Sequence, residues 1–318
     1  MSASGGTKAI FAALGANIGI AIVKFIAAAI SGSASMLAEG VHSLADSANQ
    51  LLLLLGGRKA KKAADEEHPF GHGRERYVYA FVVSIVLFSV GGVFSLYEGI
   101  EKFAHPHPLD NWWLPMVVLV IAIGLEGFSL RTALKEAAPQ KGGQSWVQFV
   151  RRAKAPELPV VMLEDTAALI GLVFALFGVG LTAITGNGVF DAIGTVLIAV
   201  LLIAVALVLG VETKSLLVGE GAGPGDVARI KQAVLDGPEV DAIIHLKTLH
   251  LGPEELMVGM KVAVDGDRRL GDVAAGIDAV EQRIRAAVPI ARVIYIEPDV
   301  RHDGPHPSTE AIVLRAAD

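Results

Sequence analysis

Residues 33–57 read SASMLAEGVHSLADSANQLLLLLGG, and the class of fold turns on how that stretch is understood. It is long enough to cross a bilayer, which takes about 20 mostly apolar residues in a helix. Yet it carries Glu39, His42, Asp46 and Asn49 before the leucine block at 51–55. Those four positions fall at i, i+3, i+7 and i+10, along one face of a helix. An ionisable group inside a membrane span is costly unless it is paired or faces water, so a polar seam of this kind marks a functional site.

The rest of the chain supports a membrane setting. Five further apolar stretches are expected to span: 9–30, with Asn17 and Lys24 its strongly polar members; 77–103, apolar as far as Glu98; 112–134, containing Glu126; 158–184, with Glu164 and Asp165 near its start; and 189–211, with Asp191 near its start. The fourth opens on Trp112 and Trp113, an aromatic pair suited to the membrane interface. Of the 318 residues, 53% are hydrophobic and 19% charged, and the mean hydropathy is +0.53. A soluble domain carries roughly a quarter charged residues. Net charge is −6 and cysteine is absent, which excludes a disulfide scaffold and thiolate metal sites. A pI near 5.9 leaves no basic footprint for nucleic acid, so none is expected as a partner. Residues 1–8 lack a basic run and no A-x-A site follows a short apolar core, so no cleavable signal peptide is expected.

Orientation follows from lysine and arginine in the short loops. Arg58, Lys59, Lys61, Lys62, Arg74 and Arg76 lie between the second and third spans, and Lys135, Lys141, Arg151, Arg152 and Lys154 between the fourth and fifth. The loops at 31–32, 105–111 and 185–188 contain neither residue. Both termini are therefore expected in the cytoplasm, with a bacterial inner membrane as the expected location. Beyond Val211 the composition becomes polar. Helical spacing at 226–235, strand-like alternation at 240–251 and 255–265 around the Gly252-Pro253 turn, a helix at 270–288 and a strand at 292–296 give the order α-β-β-α-β. That order predicts a small α+β domain resembling a truncated ferredoxin-like fold. The expected organisation is a six-helix transmembrane domain over 1–212, an α+β domain over 213–300 and a mobile tail over 301–318.

His42 and Asp46, four residues apart, project an imidazole and a carboxylate from adjacent turns. With Asp165 from the fifth span, and Glu164 beside it, they offer a set of ligands suited to Zn²⁺ or another first-row divalent ion. A His/Asp pair at this spacing can instead be a buried hydrogen bond between helices. Two more carboxylates in another span would still want a partner, which favours the ion. Glu39 and Asn49 read better as packing or supporting residues. Glu126 and Asp191 read as interfacial groups or as partners for a neighbour such as Lys24, with no chemistry beyond a proton path.

EGVHSLADSANQLLLLLG at 39–56, HPFGHGRERY at 68–77, six spans and an α+β tail together resemble the cation diffusion facilitator family over nearly the whole chain. The resemblance implies a homodimeric antiporter in the lipid bilayer that exports a divalent metal ion, commonly Zn²⁺, against H⁺. It implies a transport site on His42, Asp46, Val161 and Asp165. Valine cannot ligate, so the fourth place falls to Glu164, Asn49, Glu39 or water. Glu164 lies about 100° around the helix from Asp165.

The resemblance further implies a peripheral metal site at Asp65 and His72, with His68 between them; the alternative is a turn that packs on the tail domain. In that domain it implies a His/Asp cluster at a dimer interface, of which His245 and, near the aspartate position, Glu297 are present. The second strand reads VGMK at 258–261, Tyr295 replaces another histidine, and His250 is a weak substitute. The tail is thus expected to dimerise the protein rather than to sense metal, with His302 and His306 solvated. No HExxH motif or activated nucleophile points to an enzyme. A non-transporting metal receptor or scaffold, and an exporter of Fe²⁺, Co²⁺, Ni²⁺ or Mn²⁺, are the alternative functions.

Overall fold

A computed structural model describes residues 3–300, with side chains over 17–139 and 141–300; the expected tail at 301–318, with His302 and His306, lies outside the described residues. The chain divides into two units at Val218/Gly219, each with its own core.

The first unit is helical. α1 (Ala3–Ser31), α2 (Ala34–Lys59), a third segment made of α3 (Glu75–Val86), a π-helical turn (Leu87–Val93) and α4 (Phe94–Ala104), then α5 (Trp113–Lys141), α7 (Glu157–Thr185) and α8 (Val189–Val218) occupy the six expected spans. Four stretches are long and apolar enough to cross a membrane on those grounds alone: Glu75–Ala104, Trp113–Pro139, Glu157–Thr185 and Val189–Val218. α2 is of similar length but carries the polar seam, and it packs against α1, α3, α4, α7 and α8. Its polar face is thereby shielded by neighbouring helices, the arrangement lipid requires.

The described helices differ from the expected spans in places. α8 continues to Val218, past Val211, because Glu212, Lys214 and Ser215 are compatible with a helix that has left the apolar layer. A short helix, α6 (Trp146–Arg152), stands in the loop before α7; Ser145 and Gln148 close its N-terminus reciprocally, and Phe149 is buried. The third span is not uniformly α-helical. Its π turn coincides with Gly91-Gly92, where a Cβ on Gly92 would lie 2.6 Å from Ile203 Cγ1. The missing side chain lets the third span approach α8 closely, the kind of contact that replaces the hydrophobic effect between helices in lipid.

The N-terminus of α2 is fixed from across the bundle. Asp191 on α8 accepts hydrogen bonds from Ser33 Oγ and Ala34 N, both at 2.8 Å, and from Ser35 Oγ. Lys24 is therefore not its partner, because the hydroxyls and amide of the α1–α2 junction already satisfy the carboxylate. The contact also places an anion at the positive end of the α2 dipole.

The second unit comprises α9 (Pro224–Leu235), β1 (Ala242–Gly252), β2 (Glu255–Val264), α10 (Leu270–Ala287) and β3 (Ala291–Val300). The sheet order is β1-β2-β3, with β2 antiparallel to β1 and parallel to β3. Leu256, Val258, Met260 and Val262 alternate inward along β2 and pack with Ile230, Val234, Val280 and Ile284 of the helices. This is the expected two-layer α-β-β-α-β arrangement.

Asp191→Ala would leave two buried hydroxyls and the Ala34 N–H without their acceptor. The expected cost is about 1–3 kcal/mol, seen as a lower thermal unfolding midpoint of the purified protein in detergent. An unchanged midpoint would show that the junction is held by other contacts.

Candidate metal-transport site

The polar face of α2 is assembled with its counterparts in the first unit. Glu39, His42 and Asn49 are buried and Asp46 nearly so. His42 Nε2 stands 3.4 Å from Asp46 Oδ2, as the i, i+4 spacing requires. Asn49 Nδ2 donates to Glu164 Oε1 at 2.7 Å, joining α2 to α7. Asp165, on the adjacent residue, accepts from Ser129 Oγ of α5 at 2.9 Å. Glu164 and Asp165 thus engage different helices, the consequence of the 100° turn between neighbours. Val161 lies half-buried against the apolar cluster of Ala133, Ala137, Phe149 and Met162, where it contributes packing and no donor atom.

The charge balance of this cluster is uneven. Glu164, Glu126, Lys24 and Asp165 all act electrostatically on Asp46, and Glu39 acts on Glu126. Five carboxyl groups (Glu39, Asp46, Glu126, Glu164 and Asp165) therefore share their surroundings with one ammonium, that of Lys24. Lys24 is paired with Glu39 at 3.0 Å, and not with Glu126 or Asp191. Among the described residues, both ring nitrogens of His42, Asp46 Oδ1, Glu39 Oε1 and Asn49 Oδ1 are buried without a hydrogen-bond partner. Buried polar atoms are rarely left so, and a group of them calls for a cation, a proton or water. The ligand-type atoms of His42, Asp46 and Asp165 do not draw together into a tight set in this conformation.

Ser129 and the participation of Glu126 are not apparent from the α2 motif. The usable signal is their i, i+3 spacing on the fourth span, which puts hydroxyl and carboxyl on one side of α5.

A tighter set lies in the loop after α2. One ligand atom each from Asp65, His68 and His72 lies within 4.8 Å of the others. His68 Nδ1 is 3.1 Å from Asp65 Oδ1 and His72 Nε2 is 3.2 Å from Asp65 Oδ2, and the two rings are 4.4 Å apart. Lys62 Nζ at 2.7 Å and the His68 backbone N–H at 2.8 Å also bind Asp65. The Lys62 contact first, then the His68 amide, holds the Asp65 carboxyl well below the usual carboxylate range.

In the second unit, His245 on β1 faces Lys261 on β2. The Lys261 ammonium binds Glu297 at 3.1 Å and Asp299 at 2.9 Å, and those carboxylates raise its pKa. Glu297 is thus turned to a lysine that stands where a second histidine was looked for. His250 is buried, with Nδ1 3.3 Å from the Gly252 carbonyl oxygen.

The first unit is a helical bundle with a carboxylate-rich interior, and it is joined to a separate α+β unit. Residues 10–218 match the cation efflux transmembrane domain and residues 223–299 the cation efflux protein cytoplasmic domain. The chain belongs to the cation efflux, or cation diffusion facilitator, family, which is a family of transporters and not of enzymes. It is similar to the mouse (Mus musculus) protein named proton-coupled zinc antiporter SLC30A9, mitochondrial, at 34% identity over 245 residues, 76% of this chain and 43% of that protein. It is 29% identical to metal tolerance protein C4 of Arabidopsis thaliana over 262 residues, 81% of this chain and 57% of that protein. It is 20% identical to the magnetosome protein MamB of Magnetospira sp. (strain QH-2) over 280 residues, 88% of this chain and 90% of that one. The chain spans less than half the length of the mouse relative.

Because the folded Asp65 pKa lies below its unfolded value of about 4, its stabilisation of the loop is present above that value and is lost as pH falls through the lower folded one. Hydrogen exchange over 61–72, corrected for intrinsic rates, is expected to be equally protected at pH 5 and pH 7, and faster at both in Asp65→Asn. Protection that already falls between pH 7 and pH 5 in the wild type would contradict this account.

Proposed function

We propose that this protein exports a divalent metal ion, zinc first among them, in exchange for protons, with both cargoes using the cluster between α2, α5 and α7. The observation that carries the reading is the imbalance of five carboxyl groups to one ammonium among buried, partly unpartnered atoms. A divalent ion or protons would each relieve that imbalance, so the two compete for one set of groups. His42, Asp46 and Asp165 are the proposed ligands. A neutral imidazole with carboxylates suits Zn²⁺ better than an ion that prefers oxygen alone. Glu164, held by Asn49, is the proposed fourth ligand or proton carrier in place of Val161. The mouse relative's name, a proton-coupled zinc antiporter, supports the same pairing of ions.

The chemistry then follows from the groups. The carboxylates are ionised and His42 is neutral when the ion binds, so loading from the cytoplasm releases protons. Reprotonation at His42, Asp46 or Asp165 from the other side removes the lone pairs that hold the ion and expels it. Rocking of α2 and α7 with their neighbours against the rest supplies alternating access and brings the ligand atoms together on loading. The lysine- and arginine-rich loops support a topology with both ends on the cytoplasmic side, and a bacterial inner membrane is the proposed location. The second unit, 219–300 of the described residues, serves as the homodimerisation domain, and Asp65, His68 and His72 form a peripheral metal site of modest affinity. With Lys261 occupying Glu297 and Asp299, the second unit is not assigned a metal of its own at His245.

In proteoliposomes loaded with a pH-sensitive dye, zinc movement is expected with opposite proton movement. Asp46→Asn and Asp165→Asn should each lower both fluxes at least about tenfold, because each removes a charged ligand. Glu164→Gln separates its two roles: retained zinc flux with fewer protons per ion identifies a proton carrier, and loss of both identifies a ligand. Absence of flux for zinc, iron, cobalt, nickel and manganese alike would sink the transporter reading.

A further inference from the structure

The proposed exchange leaves one buried ion pair without a task. Lys24 on α1 and Glu39 on α2 are both fully buried, with Nζ 3.0 Å from Oε2. Lys24 Nζ also donates to Ser43 Oγ at 2.8 Å, so the ammonium is anchored beside His42. The other carboxylate oxygen, Glu39 Oε1, is buried and has no hydrogen-bond partner. It sits where α7 passes: a Cβ on Gly171 would stand 2.8 Å from it, so the glycine leaves it room in this position. A buried ion pair is a poor source of stability, since desolvating both charges offsets their attraction. Inside a bilayer the cost is higher still, which makes a purely structural reason for the pair weak.

Glu39 shares its helix face with His42 and Asp46, at i, i+3 and i+7. A carboxylate one turn from an imidazole, with a spare oxygen, has the chemistry of a divalent-metal ligand. We infer that Lys24 is a positioning residue that withholds Glu39 from the transported ion: Lys24 and Ser43 hold one side of the pair, Gly171 accommodates the other, and the ion meets only one α2 carboxylate. A transport site must release its ion, and one anionic ligand fewer favours release over retention. The inference rests on the reading that the ion binds at His42, Asp46 and Asp165.

Lys24 acts electrostatically on His42 and Asp46 of α2 and on Glu126 of α5, and Glu39 acts on Glu126; Glu164 and Asp165 of α7 act in turn on Asp46. The two members of the pair therefore have opposite effects when removed singly. Lys24→Met releases a carboxylate toward the ion. Glu39→Gln leaves an unshielded ammonium beside it.

The test uses the full chain in an Asp65→Asn background, which silences the peripheral loop set, with zinc binding measured by calorimetry and turnover in proteoliposomes. Lys24→Met is expected to bind zinc about tenfold more tightly and turn over more slowly, with KM and kcat falling together. Glu39→Gln is expected to bind about tenfold more weakly, and Lys24→Met/Glu39→Gln to return near the parent. Changes of the same sign in both single variants, or a lower melting temperature with unchanged affinity, would overturn the inference and make the pair a structural tie. If Lys24→Met does not fold, Glu39→Gln decides alone, since unchanged or tighter binding there overturns it. Asp46→Asn in the same background is the separate control: if it leaves zinc binding intact, the placement of the ion fails, whatever the Lys24 variants do.

Discussion

Keeping several carboxyl groups inside a helical membrane bundle is the constraint on which the remaining structure depends. Glu39, Asp46, Glu164 and Asp165 lie among helices whose other faces are built of alanine, valine, leucine and isoleucine. Lipid offers such groups no hydrogen bond, so each has to find a partner within the protein. α2 accordingly packs among its neighbours, with α1, α7 and α8 around it. Lys24 answers Glu39, Asn49 answers Glu164 and Ser129 answers Asp165. What these contacts leave over on the same face of α2 is two imidazole nitrogens, the Glu39 and Asp46 carboxylate oxygens Oε1 and Oδ1, and the Asn49 amide oxygen.

The same constraint explains the distribution of fixed and adjustable contacts. At the N-terminus of α2, Asp191 gathers two hydroxyls and a backbone amide, a dense local network that defines where the helix begins. Toward the middle, Asn49 to Glu164 and Ser129 to Asp165 are single hydrogen bonds between helices. Single bonds between rigid helices can be exchanged at modest cost, whereas a three-donor cap is lost only as a unit. The exchange proposed above, with helices rocking about the site, would draw on that division. The loop at Asp65 follows other rules: its Lys62 and His68 partners are exposed, His72 is buried, and one lysine and one backbone amide keep the carboxylate ionised.

In the second unit the decisive substitution is electrostatic. Lys261 supplies internally the positive charge that a metal would otherwise bring to Glu297 and Asp299. A tethered ammonium cannot leave, so those two carboxylates are satisfied without an external cation, while the apolar face of β2 still forms the core. The domain keeps its packed core, and these carboxylates are paired within their own sheet.

The amino-acid sequence by itself determined the spans, the α-β-β-α-β order and the face shared by His42 and Asp46. Each of these follows from local periodicity, in the 3.6-residue repeat of a helix or the two-residue repeat of a strand. Family membership was legible for the same reason, since HSLAD and HPFGHG are contiguous motifs. Partners across the bundle were not legible. Lys24 lies 15 residues from Glu39, Asn49 115 residues from Glu164, and Ser33 158 residues from Asp191, so no local repeat relates them. The π turn at Gly91-Gly92 and the room that Gly171 leaves for Glu39 depend likewise on which helix passes alongside. Only the packed bundle decides those pairings, because a buried charge takes the nearest group that compensates it in space.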